Sequence, residues 1–119
     1  LPQDKLAGLE PAFRGKVVAI LQELAGKGWK PFVAEGLRTQ SQQDEKVRLG
    51  YSRTRNSRHL TGHAADIVDR RWGWGGPAAS TSHQFWQDLG TAARARGLTW
   101  GGDWRSFKDV AHIEVPRGG

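Results

Sequence analysis

The sequence contains no cysteine and no methionine among its 119 residues, and a single tyrosine. Without thiols there is no disulfide scaffold, no thiolate zinc knuckle and no cysteine nucleophile, so any metal must be held by imidazole and carboxylate. Long apolar runs are missing as well. The longest strong one, Val17 to Leu21, is bounded by Lys16 and Gln22, far short of the ~18 apolar residues that cross a membrane. Leu1 to Leu9 holds no apolar core of a secretory signal, so export by that route is not expected from these residues. Internal repeats and low-complexity linkers are absent too. A chain of this length builds one modest core, and residues 1–119 read as a single domain.

What is in excess is positive charge: 18 Lys and Arg against 12 Asp and Glu give a formal +6. That balance suits an anionic partner such as nucleic acid, anionic lipid or a cell-wall polymer. Arg48, Arg53, Arg55 and Arg58 crowd around Tyr51. No helix-turn-helix, finger or aromatic-basic RNA motif accompanies them, so they read as a solvated basic face and no nucleic-acid partner is expected.

Periodicity supplies the elements. Leu9, Phe13, Val17, Ile20 and Leu24 form the apolar stripe of an amphipathic helix that Gly26 or Gly28 stops. Trp29 to Ala34 reads as a strand. Thr39 with Gln42 is a capping box for a short helix to about Leu49, closed by Gly50. Tyr51 to Arg58 reads as an exposed loop. Ala64 to Asp69 alternates as a strand, with Ala64, Asp66 and Val68 on one face and Ala65, Ile67 and Asp69 on the other. Arg70 to Ser82 is a glycine-rich loop, after which Thr81 or Ser82 caps a helix that runs to about Arg96 and ends at Gly97. Leu98 to Trp100 and Ala111 to Val115 read as the last strands. The expected class is α+β, a small antiparallel sheet with two to three helices.

The chemistry-bearing residues are unevenly placed: His59, His63 and Asp66 lie together, and His112 sits beside Asp109 and Glu114. The spacing of His59 and His63 is that of a helical zinc-protease motif. Leu60 stands where that motif needs its Glu, and Gly62 interrupts the helix, so a loop ligand, His59, and a strand ligand, Asp66, form the pair instead. On the last strand His112 and Glu114 share a face, while Asp109 lies where a turn enters that strand and is placed to act as a general base. Two His, one Asp and a free acid fit a catalytic zinc site that keeps one position open.

Ser57-Arg58-His59-Leu60-Thr61-Gly62-His63-Ala64-Ala65-Asp66 matches the pattern S-x-H-x-x-G-x-A-x-D, and Asp109-Val110-Ala111-His112-Ile113-Glu114 matches a second pattern, an acid ahead of the third metal-binding His. In both, the sequence resembles the zinc peptidases of the lysostaphin, D-Ala-D-Ala and sonic hedgehog type, over roughly Val33 to Val115. The resemblance implies that His59, Asp66 and His112 bind Zn2+, that Asp109 is the base, and that Arg38 in Glu35-Gly36-Leu37-Arg38-Thr39 stabilises the oxyanion. Ser57 would help to place the substrate. Asp rather than Glu at 109, and the stretch Trp100-Gly101-Gly102-Asp103-Trp104-Arg105-Ser106-Phe107, look like the bacterial and phage L-alanyl-D-glutamate peptidases.

The resemblance thus implies a hedgehog/D,D-peptidase-like fold and hydrolysis of the peptidoglycan stem peptide at its L-Ala to D-Glu bond. A D-alanyl-D-alanine carboxypeptidase or dipeptidase on the same scaffold, and a non-catalytic wall-binding module, are the alternatives. An endolysin of this kind is expected to be a monomer made in the host cytoplasm and released to the periplasm or wall. Among the remaining residues, His83 reads as structural and His63 as a surface or supporting group. Trp29 and Trp86 read as core, and Trp72, Trp74, Trp100 and Trp104 as walls of a cleft. Trp104 and Glu114 are expected to contact substrate, with Glu114 also a rival to Asp109 as base. Asp103 is expected to support a ligand His or to cap a turn.

Overall fold

A computed structural model of the chain describes residues 5–117. Three helices, α1 (Pro11–Gly26), α2 (Gln40–Arg48) and α3 (Gln84–Arg94), accompany four strands, β1 (Pro31–Glu35), β2 (Ala64–Asp69), β3 (Thr99–Trp100) and β4 (His112–Glu114). The strands form one sheet in the order β1-β2-β4-β3. Every pairing is antiparallel. The expected α+β class is the observed one.

The apolar stripe of α1 is buried from Leu9 to Leu24, but the helix begins only at Pro11 because Glu10 caps it. The Glu10 carboxylate accepts from the Phe13 and Ala12 amides at 2.9 and 3.1 Å, and Pro11 loses nothing at a position whose N–H has no helical partner. The Trp29 amide still donates to Leu24 O at 3.2 Å, so β1 starts at Pro31 rather than at Trp29. The helix expected after Thr81 or Ser82 is capped instead by His83, whose Nδ1 accepts from the Phe85 amide. An imidazole lone pair there does the work expected of a hydroxyl. That helix stops at Arg94, two residues early, in a turn closed by Gly97 at φ +74°.

Helices α1 and α3 pack against each other and against the sheet face that carries Val33, Ala65, Ile67, Trp100 and Ile113. Burial of that face fixes which residues turn the other way. The strand β1 carries a bulge: Val33 pairs with Ile67 and Glu35 with Asp66, leaving Ala34 as the extra residue. Without it, Glu35 would lie opposite Ala65 and point into the core; with it, Glu35 shares a face with Asp66.

Asp69 points away from Asp66, as strand alternation requires. It is fully buried and accepts from the Lys30 and Arg71 amides at 2.9 and 3.0 Å and from the Arg71 guanidinium at 2.7 Å. Burial alone would raise its pKa; the Arg71 guanidinium and the two amides outweigh that and hold it at about 2. A carboxylate depressed in this way stabilises the fold above its unfolded value and loses that stabilisation as pH falls through the folded one. Asp69→Asn should therefore be less stable by about 2 kcal/mol at neutral pH. Denaturant melts should show the deficit narrowing between about pH 4 and pH 2, and a deficit constant across that window would contradict the pairing.

Candidate active site

The register of β2 and β4 sets Asp66 directly opposite His112, with Glu114 two residues on along the same face. His59 arrives from the 3-10 turn Arg58–Thr61, which Ser57 caps by accepting the His59 amide at 3.1 Å. The turn ends at Gly62, φ +76°, where a Cβ would also stand 2.9 Å from Gly8 O. Two reciprocal bonds tie it to the loop after β1. The Arg38 amide donates to His59 O at 2.9 Å, and His59 Nδ1 lies 2.8 Å from Gly36 O. With Nδ1–H given to that carbonyl, His59 turns Nε2 toward Asp66.

Asp66 Oδ1 lies 3.4 Å from His59 Nε2 and 3.2 Å from His112 Nδ1, and one ligand atom from each of the three residues lies within 4.8 Å of the others. Ligand atoms around one tetrahedral ion at ordinary zinc distances stand roughly 3.3 Å apart. Two imidazoles and a buried carboxylate at that spacing fit a divalent cation. The other nitrogen of His112, Nε2, meets Glu114 Oε1 at 2.7 Å. Glu114 is therefore engaged through Oε1 in orienting His112, and it also lines the cleft.

The charges explain one another. Burial would raise the Asp66 carboxyl, but hydrogen bonds from His112 and His59 outweigh it and hold it well below the carboxylate range. Burial would lower His112, and Asp66 and Glu114 instead push it up to about 10. Asp109 moves the other way: desolvation, then the Asp66 charge, raise it to about 6. Its backbone is fixed by the bonds Asp109 N to Gly101 O and His112 N to Asp109 O, each 3.1 Å. A Cβ on Gly101 would lie 2.3 Å from Asp109 O, so this close approach needs glycine.

These groups open on a cleft of about 1000 Å³. Arg38 lines it, nearly buried, with Nη2 on Glu35 Oε1 at 2.9 Å and Nη1 on Gln43 Oε1 at 2.6 Å. Trp104 stands over His112 with ring centroids 5.2 Å apart, and Trp74 lines the same cleft. The other two tryptophans expected there are elsewhere. Trp100 is in the core, donating to Val110 O, and Trp72 packs edge-on against Trp29 and His83. Asp103 neither supports a ligand His nor caps a turn through its side chain; it pairs with Arg94 at 2.8 Å. Ser57 lines the cleft, with its hydroxyl spent on the turn that carries His59. His63 bonds to Thr61 at 2.7 Å and lies outside the ligand group.

Two residues at the site carry no motif. Glu35 gathers Arg38, Lys46 and Lys5 at 2.9, 3.8 and 3.6 Å, and Gln43 is fully buried beneath Arg38. The signal for Gln43 lay in the composition of α2, whose sequence QSQQDEKVR offers no apolar face. Such a helix has to be anchored by a polar side chain.

Two histidines and a carboxylate converging beside a raised acid, at the floor of a cleft, are the working parts of a metallohydrolase. The sequence profile of a peptidase family described as D-alanyl-D-alanine carboxypeptidase matches residues 51–115, and the chain belongs to that family of metallopeptidases. It is similar to the peptidoglycan L-alanyl-D-glutamate endopeptidase CwlK of Bacillus subtilis (strain 168), at 28% identity over 90% of this chain and 73% of that protein. The L-alanyl-D-glutamate peptidase of Listeria phage A118 is 33% identical over 73% of this chain and 31% of its own length. The crystal structure of the Serratia marcescens L-Ala D-Glu endopeptidase ChiX superposes with a TM-score of 0.74 at 32% identity, covering 93% of this chain and 83% of that one. An LD-carboxypeptidase, LdcB, shares the fold at a TM-score of 0.64 and 17% identity.

Because His112 holds its proton up to about 10, a cation binding at Nδ1 must displace that proton. Divalent-ion uptake at neutral pH should release it, and the apparent affinity should rise with pH by up to about tenfold per unit. Calorimetry in buffers of different ionisation enthalpy reads the released proton; uptake without release would contradict the His112 arrangement.

Proposed function

We propose that the chain is a zinc-dependent peptidoglycan endopeptidase that cuts the L-alanyl-D-glutamate bond of the stem peptide. The observation that carries this reading is the coincidence of the His59, Asp66, His112 group beside Asp109 with two curated relatives and a solved neighbour of that named activity. His59 through Nε2, Asp66 through Oδ1 and His112 through Nδ1 would hold the ion. When bound, zinc supplies Lewis acidity that acidifies water and polarises a carbonyl.

The residues of the chain do the rest. Asp109, raised to about 6 by burial and by Asp66, takes a proton from the attacking water and returns it to the leaving amine. Arg38 meets the developing oxyanion. Its contacts to Gln43 and Glu35 fix the guanidinium and leave other donors of the fork for the cleft. Trp74 and Trp104 wall the stem peptide, and Glu114 holds His112 in the tautomer that offers Nδ1. In the same proposal the enzyme acts as a monomer at the wall, reached by phage-type release from the host cytoplasm. The net +6 charge suits an anionic wall polymer.

Defined muropeptides test the reading. The zinc-loaded protein should liberate a new D-glutamyl amino terminus; release of D-alanine instead would assign the alternative D,D- or L,D-carboxypeptidase specificity. Asp109→Asn should lose roughly a hundred- to ten-thousand-fold in kcat while still holding zinc. His59→Ala should lose the metal itself, measured by elemental analysis. An Asp109→Asn protein with full turnover would sink the assignment of the base.

A further inference from the structure

Asp66, Asp109 and Glu114 bring negative charge to the cleft, and several arginines and lysines line it as well. Most of these cations are already satisfied. Arg38 and Lys46 share Glu35, Arg117 reaches Glu114 at 3.9 Å, and Arg58 donates to Val115 O at 3.2 Å. Arg53 differs: among the described residues its side chain has neither a carboxylate nor a carbonyl partner. Its guanidinium lies 5.0 Å from the centre of the Phe107 ring and donates to Ser106 Oγ at 3.2 Å. The rest of the fork is left for the cleft.

Both supports of Arg53 are built. Phe107 is the one described non-glycine residue with a positive φ, +54°, and a bulky side chain is held in that conformation only where its surroundings enforce it. On the other side, the residues flanking Arg53 are both bonded to buried Gln43. The Gln43 Nε2 group donates to Ser52 Oγ at 3.0 Å and to Thr54 O, while its Oε1 accepts from Arg38. One buried amide thus sets the loop of Arg53 and the side chain of Arg38 together.

We propose that Arg53 is a specificity-determining residue that receives the free carboxylate of the acidic residue on the leaving-group side of the scissile amide. This rests on the endopeptidase reading above. A glutamyl residue joined through its amine and one carboxyl keeps the other carboxyl free, close to the bond being cut. A planar guanidinium with vacant donors takes that carboxylate in two parallel bonds. The substrate class is accordingly the stem peptide with a free glutamyl carboxylate, in preference to its amidated form.

The test compares L-alanyl-γ-D-glutamyl-L-lysine with its isoglutamine counterpart, where an amide replaces that carboxylate, on the zinc-loaded protein. Wild-type kcat/KM should favour the acid by about tenfold or more. In Arg53→Gln the preference should fall towards unity, carried by KM, and Arg53→Lys should keep part of it. Arg55→Gln, whose side chain pairs with Asp44, should keep the wild-type preference. A preference that survives in Arg53→Gln, or that the wild type lacks, overturns the assignment. If the wild type cuts neither peptide, the bond specificity fails, and calorimetric binding of both peptides to wild type and Arg53→Gln judges the subsite alone. Acid-selective binding lost in the variant supports it, and equal binding of the two peptides by the wild type overturns it.

Discussion

The pairing of β2 with β4 is the constraint on which the site depends. Their antiparallel register places Asp66 opposite His112, and it is enforced from the far side of the sheet, where Ala65, Ile67 and Ile113 are sealed beneath the helices. A slip of one residue would drive Asp66 and His112 into the core and bring aliphatic side chains to the cleft. The hydrophobic effect on one face therefore holds the ligand geometry on the other, with no need for the ligands to attract one another. His59 is positioned independently, through Gly62, the Ser57 cap and the Gly36 carbonyl. The third vertex of the group is consequently set by loop backbone rather than by the sheet.

This arrangement gathers more negative charge than a half-buried site tolerates alone. Asp66, Asp109 and Glu114 crowd one imidazole, and without a metal His112 carries the compensating proton between Asp66 and Glu114. Asp109 is left outside that exchange and keeps its own proton to an unusually high pH. A divalent cation at the same point would replace the imidazolium charge and add to it, which is why the donor set suits a metal better than a proton. The three acids thereby take three different roles, set by neighbours and not by residue type: Asp66 faces both imidazoles, Glu114 aligns one of them, and Asp109 stays poised.

Much of this was legible in the sequence because it is local. The α1 stripe, the Thr39 and Gln42 capping box and the alternation of β2 each follow from side-chain spacing along one element, and the structure shows all three. The grouping of His59, Asp66 and His112 was legible from two motifs whose strands had to pair. What escaped depends on contacts between distant segments. Trp100 lies in a glycine-rich stretch that suggested a cleft wall, but the absence of a side chain at Gly90, where a Cβ would stand 2.5 Å from the indole, lets α3 settle on it and seal it in the core. The bulge at Ala34 and the imidazole cap of α3 have no local signature, since either is decided by what the segment packs against.

The cleft wall at α2 obeys a different rule from the core. A helix with one buried side chain, and that side chain a glutamine, gains little from apolar burial. Its placement rests on a polar network, which is stabilising only when every buried donor and acceptor is used. Gln43 meets that condition: its carbonyl takes Arg38, and its amine reaches Ser52 and Thr54. Turning the amide over would set N–H against the Arg38 N–H and carbonyl against the Thr54 carbonyl, so one orientation is selected. Arg38 and the loop that carries Arg53, both on the lining of the cleft, are thus tied to one buried amide.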